Sequence, residues 1–189
     1  AVLGMDEMIL RESSDDKISG YAYDIKRAGN TLLNLVNGIL DFSKIESGKM
    51  DIIPTIYNFG DLLDDIIDII RPRTEEKNLK LKIHVEPGIP VHLYGDEIRI
   101  RQVITNLLVN AVKYTEKGCV CLDVSGRRLP DNIVLLYVSI KDTGIGIKEE
   151  DKEKLFETFR RLDENRNRNI EGTGLGLPIT MRLLELMGS

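Results

Sequence analysis

Cysteine, long apolar runs and clusters of basic residues are scarce in this chain of 189 residues. Cysteine occurs twice, at Cys119 and Cys121, in a spacing that suits reduced thiols in the cytoplasm rather than a metal site. No apolar run approaches the ~20 residues that span a bilayer, so we expect no direct membrane contact. The net charge is −5 and basic residues do not cluster, which disfavours nucleic acid as a partner. We therefore expect a soluble cytoplasmic fragment, whether or not its parent protein is anchored in a membrane.

Residues 1–49 carry the pattern of two helices joined by a polar turn. Apolar residues within 2–10 predict a short helix, and residues 13–16 supply a turn with helix-capping side chains. Residues 17–48 predict a long helix whose apolar residues recur every seven positions. This seam consists of the heptad positions a and d, which are occupied by Ile18, Tyr21, Ile25, Ala28, Leu32, Leu35, Ile39 and Phe42.

A helical hairpin with such a seam exposes one apolar side. A symmetric homodimer that forms a four-helix bundle would bury the seam, and we expect this arrangement. In the alternative, the seam packs against the domain that follows.

Residues 50–189 predict a second domain with helices and strands. Strands are predicted at 50–58, 79–86, 118–128 and 133–142, and helices at 61–77, at 96–114 and after residue 177. Pro54 suits an edge strand, Pro72 predicts a kink or an early end of its helix, and the nearly continuous apolar run at 133–140 predicts a central strand. The apolar residues of the helix at 61–77 are expected to point inward, namely Leu62, Leu63, Ile66, Ile67, Ile69 and Ile70. The expected fold class is α+β, a two-layer α/β sandwich with helices on one face of a mixed sheet.

Three motifs of this domain predict one nucleotide site. The first glycine segment reads DTGIGI at 142–147, the second glycine segment reads GTGLGL at 172–177, and NLLVNAVKYT occupies 106–115 on a predicted helix. Glycine permits a positive φ and lets a backbone approach a ligand closely. Asn106 and Asn110 lie one turn apart on one helix face, where carboxamide oxygens could meet Mg²⁺ carried in with phosphates. Free N–H groups of the helix that follows the second segment favour phosphates.

These motifs, together with LDFSKIESGKM at 40–50 and LFETF at 155–159, resemble the kinase core of bacterial sensor histidine kinases. That superfamily includes the Hsp90, MutL and gyrase ATPases. The resemblance implies Mg²⁺ and ATP as ligands, transfer of the γ-phosphate to a histidine on the helical bundle, and relay to an aspartate in the receiver domain of a response regulator. The segment at 40–50 particularly resembles hybrid kinases.

The resemblance also implies roles for individual residues. Asp142 would accept a hydrogen bond from the adenine amino group, and the cost of burying an unpartnered carboxylate favours a ligand there over a simple Asx turn. Asn110 would bind Mg²⁺ with the help of Asn106, Lys113 would point to phosphate, and Tyr114 would face the sugar or base edge. The other expected nucleotide contacts are Gly144, Gly146, Gly172, Thr173, Gly174, Leu175 and Gly176.

Residues 160–171 are polar and charged and predict a mobile lid. Arg161 matches an arginine of the family, and its guanidinium would stabilise charge on the transferring phosphate, which makes it a catalytic residue with Asn106 and Lys113. Arg166 and Arg168 are more simply interpreted as solvated. Phe156 and Phe159 suit either a hinge of the lid or core packing.

Asn106 occupies the position at which the hydrolysing members of the superfamily carry a glutamate that activates water. A carboxamide is a poor general base, so we expect slow ATP hydrolysis and favour transfer to a protein acceptor.

The acceptor histidine of the family is absent, since His84 and His92 lie in other contexts. Residues 1–10 resemble the segment that follows the acceptor, and the family usually continues beyond Ser189 into two further strands. We therefore expect a fragment that does not phosphorylate itself. A catalytically silent module for nucleotide binding or dimerisation is the alternative, and a hydrolysing ATPase is disfavoured.

Overall fold

The computed structural model describes residues 1–156 and 174–189. The chain divides into two compact units, Ala1–Met50 and Asp51–Ser189. No helix in the described part of the chain is long and apolar enough to cross a membrane.

The first unit is a hairpin of two helices, α1 (Val2–Glu12) and α2 (Asp16–Glu46). The Asp15 carboxylate begins α2 by accepting hydrogen bonds from the backbone N–H groups of Lys17 and Ile18. The helices approach closely where Leu3 packs on Gly29, because a Cβ at Gly29 would lie 2.7 Å from the Leu3 Cδ2 atom. The predicted hairpin is therefore present.

The heptad seam of α2 is open to solvent in the single chain. Leu32 is 62% exposed and Tyr21 is 67% exposed, and Ile18, Ile25, Ala28 and Ile39 are also exposed. Leu35 and Phe42 are half-buried. The hairpin by itself therefore leaves most of its apolar seam uncovered.

The second unit contains two sheets. Strands β1 (Thr55–Asn58) and β3 (His92–Gly95) pair antiparallel. The larger sheet has the order β2-β4-β5, in which β2 (Lys80–Val85) is parallel to β4 (Cys119–Arg128) and β4 is antiparallel to β5 (Val134–Asp142). The helices are α3 (Phe59–Glu76), α4 (Glu97–Tyr114) and α5 (Gly176–Leu186), and two 3₁₀ turns occupy Glu149–Asp151 and Glu153–Phe156.

The core lies between one face of the larger sheet and the helices α3 and α4. Every second residue of β4 points into it, and each fully buried side chain of this size contributes ~1.5 to 3 kcal/mol. The most deeply buried residues are Leu62, Ile66, Ile70, Leu108, Val120, Leu122 and Val124. The α+β content and the mixed sheet agree with the predicted fold class.

Two details of the α3 prediction need correction. Of the kink or early end predicted at Pro72, the early end does not occur, because the helix continues through Pro72 to Glu76. Pro72 lies on the exposed side, while the buried residues Ile70 and Thr74 hold the last turns against the core. Ile69 is 43% exposed rather than inward, because the buried stripe of the helix passes through Ile66 and Ile70.

The strand predictions also need corrections. β1 begins after Pro54, not at residue 50, since proline has no N–H for the ladder. β3 was not predicted at all. β5 lies at the edge of the described sheet and β4 is central. Although β5 is apolar on both faces, only one face is turned toward the core. On the other face, Leu135 and Tyr137 are 42% and 51% exposed.

Candidate nucleotide-binding site

Helix α4 carries the polar residues of the candidate site on the side opposite its core contacts. Ile104 and Leu108 are buried in the core, whereas Asn106, Asn110 and Lys113 are half-buried, as is Tyr114. Arg101 fixes the helix to its neighbour α3 by ion pairs with Asp65 and with Glu97 of its own helix. Burial alone would lower the pKa of Arg101, but the hydrogen bonds to the two carboxylates outweigh it and raise the pKa.

Asn106 joins α4 to α5. Its carboxamide nitrogen donates a hydrogen bond to the Thr180 Oγ1 atom at 2.6 Å, and Thr180 is buried. Its Oδ1 atom faces Gly176, where a Cβ would lie 2.5 Å away. A larger residue at the start of α5 would therefore have to displace the Asn106 carboxamide.

The first glycine segment is held by the other end of α4. The Ile145 N–H donates to the Tyr114 carbonyl oxygen at 3.3 Å. A Cβ at Gly144 would lie 2.4 Å from the same oxygen, so no larger residue fits without a shift. The aspartate that precedes this glycine, Asp142, forms an Asx turn in which its Oδ1 atom accepts from the Gly144 N–H at 2.8 Å.

Asp142 is exposed, contrary to the buried carboxylate assumed from the sequence. The Asx turn that sequence reasoning treated as the alternative is present. The turn gives the Asp142 carboxylate one hydrogen-bond donor. Because the side chain is exposed, the carboxylate is accessible to a polar group of a ligand.

Thr143 connects the first glycine segment to β4 by hydrogen bonds, a role that the sequence analysis did not predict. Its Oγ1 atom accepts from the Cys119 N–H at 3.0 Å and donates to the Lys117 carbonyl at 3.1 Å. The Thr143 N–H donates to the Cys119 carbonyl at 3.2 Å. Gly118 makes room for this hydroxyl, since a Cβ there would lie 2.1 Å from it.

Lys77 is a second residue that sequence reasoning missed. Its ammonium group donates to the carbonyl oxygens of Val112 at 2.9 Å, Lys113 at 2.9 Å and Thr115 at 3.3 Å. These carbonyls lie at the end of α4, where the helix provides no donors of its own and the helix dipole favours a cation. A lysine that follows a helix gives no local signal of such a distant contact.

The side chains of Lys113 and Tyr114 lie together, with the Lys113 Nζ atom 4.7 Å from the centre of the Tyr114 ring. An ammonium at this distance is attracted to the electron-rich face of the ring. The pair presents a cation and an aromatic surface at the same end of α4 that holds the first glycine segment.

The described part of the second glycine segment leads directly into α5. Gly174 has a φ of 71°, in the left-handed region that favours glycine, and Gly146 of the first segment has a φ of 66°. Leu175 is 1% exposed and precedes the first helical residue, Gly176. Arg161, Gly172 and Thr173 lie outside the described residues, as do the predicted lid at 160–171, Phe159, Arg166 and Arg168.

No cluster of three or more histidine, cysteine, aspartate or glutamate side chains in the described part of the chain could hold a metal ion. Mg²⁺ commonly binds through one or two protein oxygens together with phosphates and waters, so the asparagines fit such an ion without a carboxylate cage. Asn110 suits this role better than Asn106, whose carboxamide is engaged with α5.

Comparison with known families agrees with this geometry. Residues 95–189 match the family of histidine kinase-, DNA gyrase B- and HSP90-like ATPases. The chain belongs to this ATPase family. Its Asn106, Asp142 and both glycine segments lie within the matched region, and the predicted resemblance to histidine kinases is confirmed.

Sensor kinases match the chain over nearly its whole length. The histidine-protein kinase BarA of Escherichia coli is 36% identical over 99% of this chain and 20% of BarA. The sensor kinase GacS of Pseudomonas protegens is 37% identical over 99% of the chain and 20% of GacS. The hybrid kinase B of Dictyostelium discoideum is 38% identical over 99% of the chain and 10% of that protein. The chain thus spans a fifth or less of these relatives.

Solved structures give the same fold. Full-length ShkA in complex with AMPPNP superposes with a TM-score of 0.77 at 30% identity, covering 99% of this chain and 38% of ShkA. The histidine kinase AdeS of Acinetobacter baumannii, at 20% identity and a TM-score of 0.64, shares the fold and covers 97% of this chain and 82% of AdeS.

Proposed function

We propose that this chain is the ATP-binding core, with part of the dimerisation hairpin, of a cytoplasmic two-component sensor histidine kinase. Mg²⁺-ATP would donate its γ-phosphate to a histidine outside this chain, and the phosphate would pass to an aspartate of a response-regulator receiver domain. The observation that carries the proposal is that α4 contacts both glycine segments. Asn106 contacts α5, and Tyr114, about 12 Å further along at 1.5 Å per residue, holds the first segment.

Each residue of the site has a proposed role. Asn110 binds Mg²⁺, Asp142 accepts the adenine amino group, and Lys113 stabilises the phosphates while Tyr114 covers the sugar or base edge. The backbones of the two glycine segments approach the nucleotide. The proposed contacts are Gly144, Gly146, Gly172, Thr173, Gly174, Leu175 and Gly176, of which Gly172 and Thr173 lie outside the described residues. Arg161 would stabilise the transferring phosphate.

The residue at position 106 favours transfer over hydrolysis. The carboxamide of Asn106 cannot act as an efficient general base, and its nitrogen is committed to Thr180. Asn106 is then a positioning residue that holds α5 beside the metal-binding Asn110, and water near the γ-phosphate lacks an activating carboxylate from this position. Hydrolysis remains slow, which preserves ATP for a protein acceptor.

The exposed seam of α2 supports a homodimer. Six of its eight apolar residues are exposed in the single chain. Burying a large apolar side chain contributes ~1.5 to 3 kcal/mol, so a seam of this length can offset the ordering costs of association. Two hairpins that bury their seams against each other form the proposed four-helix bundle.

Calorimetric titration with AMPPNP, with and without Mg²⁺, tests the nucleotide site. We expect binding that Mg²⁺ strengthens and that Asn110→Ala weakens at least tenfold. Asn34→Ala, an exposed asparagine on α2, is the matched control and should bind as the wild type does. Absence of binding, or equal Mg²⁺ dependence in Asn110→Ala, would refute the proposed site.

Labelling of the parent protein with γ-³²P-ATP tests the transfer. A phosphohistidine is labile to acid and stable to alkali, and we expect label of this kind that Asn110→Ala abolishes. Acid-stable label, or steady release of inorganic phosphate without protein labelling, would favour the other candidate functions.

A further inference from the structure

The two cysteines of the chain lie side by side on the face of the larger sheet that α3 and α4 do not cover. Cys119 and Cys121 are two residues apart on the central strand β4, and both are half-buried. Their Sγ atoms are 4.0 Å apart. Lys82 of β2 and Lys141 of β5 are the strand partners of Cys121. The pair therefore forms a dithiol on an accessible, polar sheet face.

The backbone geometry disfavours a disulfide between them. Residues i and i+2 of a strand are about 6.6 Å apart at a rise of ~3.3 Å per residue, whereas disulfide-bonded Cα atoms most often lie ~5.5 to 6 Å apart. Both cysteines are paired with β2 on one side and Cys121 also with β5 on the other. Shortening this stretch of β4 would disturb ladders on both sides.

The same geometry suits a ligand that bridges the sulfurs. Two sulfurs bonded to one atom at ~2.3 Å lie about 3.3 Å apart at a right angle, as on pyramidal arsenic, and about 4.6 Å apart when collinear, as on two-coordinate Cu(I). The observed separation of 4.0 Å lies between these two values. No third histidine, cysteine or carboxylate joins them in the described part of the chain. Among the described residues, the protein therefore offers a ligand two sulfurs at this site.

We propose that Cys119 and Cys121 form a binding site for a thiophilic ligand that takes two thiolates at once, of the class of Cu(I) or trivalent arsenic. Soft thiolates select Cu(I) among the common transition metals. A trivalent organoarsenical carrying an As=O group would form two As–S bonds, and its oxygen would leave as water with both thiol protons. Burial, together with the neighbouring Cys119 thiol, raises the pKa of Cys121.

The dithiol is connected to the first glycine segment. The Cys119 N–H and carbonyl both bond to Thr143, the second residue of that segment. Bridging the sulfurs would pull on Cys119 and so on the loop that contacts the nucleotide. We expect the bridged form to bind AMPPNP at least threefold more weakly, a consequence that rests on the proposed function.

Native mass spectrometry with phenylarsine oxide tests the site. The wild type should bind one equivalent per chain with loss of one water, keep it in excess 2-mercaptoethanol and release it to 2,3-dimercaptopropanol. Cys119→Ser and Cys121→Ser are matched controls, since each keeps one thiol and should lose the monothiol-resistant adduct. An unlabelled wild type, or single variants that hold the arsenical equally well, would overturn the proposal.

Cu(I) competition against a chromogenic copper chelator identifies the ligand. Retention of Cu(I) by the wild type but by neither single variant supports a copper site, and retention of the arsenical alone assigns the site to trivalent arsenic. Titration with AMPPNP before and after arsenical loading tests the connection. Unchanged affinity would refute the effect on the loop, whereas no nucleotide binding by the unloaded chain would refute the proposed function and leave the dithiol site intact.

Discussion

The Asn106 carboxamide donates a hydrogen bond of 2.6 Å to the Thr180 hydroxyl oxygen, across 74 residues of sequence. The bond connects the middle of α4 to the second turn of α5, three residues after the second glycine segment. The position of that segment therefore depends on a single polar pair as well as on packing of the buried Leu175 and Ile179.

Replacing Thr180 by valine tests this pair. Valine has a similar shape but cannot accept the hydrogen bond, so the Asn106 amide loses its partner. We expect AMPPNP affinity to fall about three- to tenfold, as the loss of one hydrogen bond predicts. Thr180→Ser keeps the hydroxyl and should restore wild-type affinity in the same calorimetric titration. Equal affinities for the valine and serine variants would contradict the role of the bond.

Replacing Lys77 by methionine removes the cation at the end of α4. Three carbonyl oxygens then lose a charged donor, and we expect the free energy of unfolding to fall by about 1.5 to 3 kcal/mol in urea titrations. Because the Tyr114 carbonyl holds the first glycine segment, AMPPNP affinity should fall as well. Lys80→Met, an exposed lysine nearby on β2, is the control and should change neither quantity by much. A stable Lys77→Met protein would show that the three bonds contribute little.

Replacing Gly144 by alanine places a Cβ 2.4 Å from the Tyr114 carbonyl oxygen. The first glycine segment must then move away from α4, and we expect AMPPNP binding to fall at least tenfold. Gly95→Ala is the control, because the nearest atom to its Cβ is at 3.5 Å, an ordinary contact. Circular dichroism should report a folded protein for both variants, and normal binding by Gly144→Ala would show that the loop has room to adjust.

Alkaline pH should destabilise the fold through Tyr57. Burial, with a further contribution from Glu97, raises the pKa of this phenol from 10.0 to about 12. The folded state favours the neutral phenol, so this stability is complete below pH ~10 and is lost as the pH rises towards 12, by about 2 to 3 kcal/mol in all. Urea unfolding of the wild type and of Tyr57→Phe over this range measures it. The difference in free energy of unfolding between the wild type and Tyr57→Phe should change with pH. A difference that stays constant would contradict the raised pKa of Tyr57.

Patterns that reflect local structure were predicted well from the sequence. The heptad repeat located α2 and the Asn106 motif located α4. The first glycine segment and the described part of the second lie next to α4, as expected. In these cases the local sequence carries the signal, either as a helical period or as glycines at positions that need them. The tertiary structure kept the local preference.

Features that depend on distant partners could not be predicted. The run that forms β5 is apolar on both faces, so its composition could not reveal that β4 is the central strand. Pro72 is tolerated because tertiary packing holds its helix, and the roles of Lys77 and Thr143 arise only once β4 and α4 are in place. The short strand β3 pairs with residues 34 to 40 positions earlier and carries little apolar periodicity of its own.

Asp96 binds two separate parts of the chain with its two carboxylate oxygens. One oxygen caps the start of α4 by accepting a hydrogen bond from the Arg99 N–H at 3.0 Å. The other accepts a hydrogen bond at 2.8 Å from the N–H of Ile53, which precedes β1 in the chain. A recombinant domain that started at Pro54 would retain all of the candidate site, yet it would leave an oxygen of this carboxylate, only 6% exposed, without its donor. The shortest version of the ATP-binding domain that keeps this bond therefore has to include Ile53, at a boundary fixed by a helix cap rather than by any sequence motif.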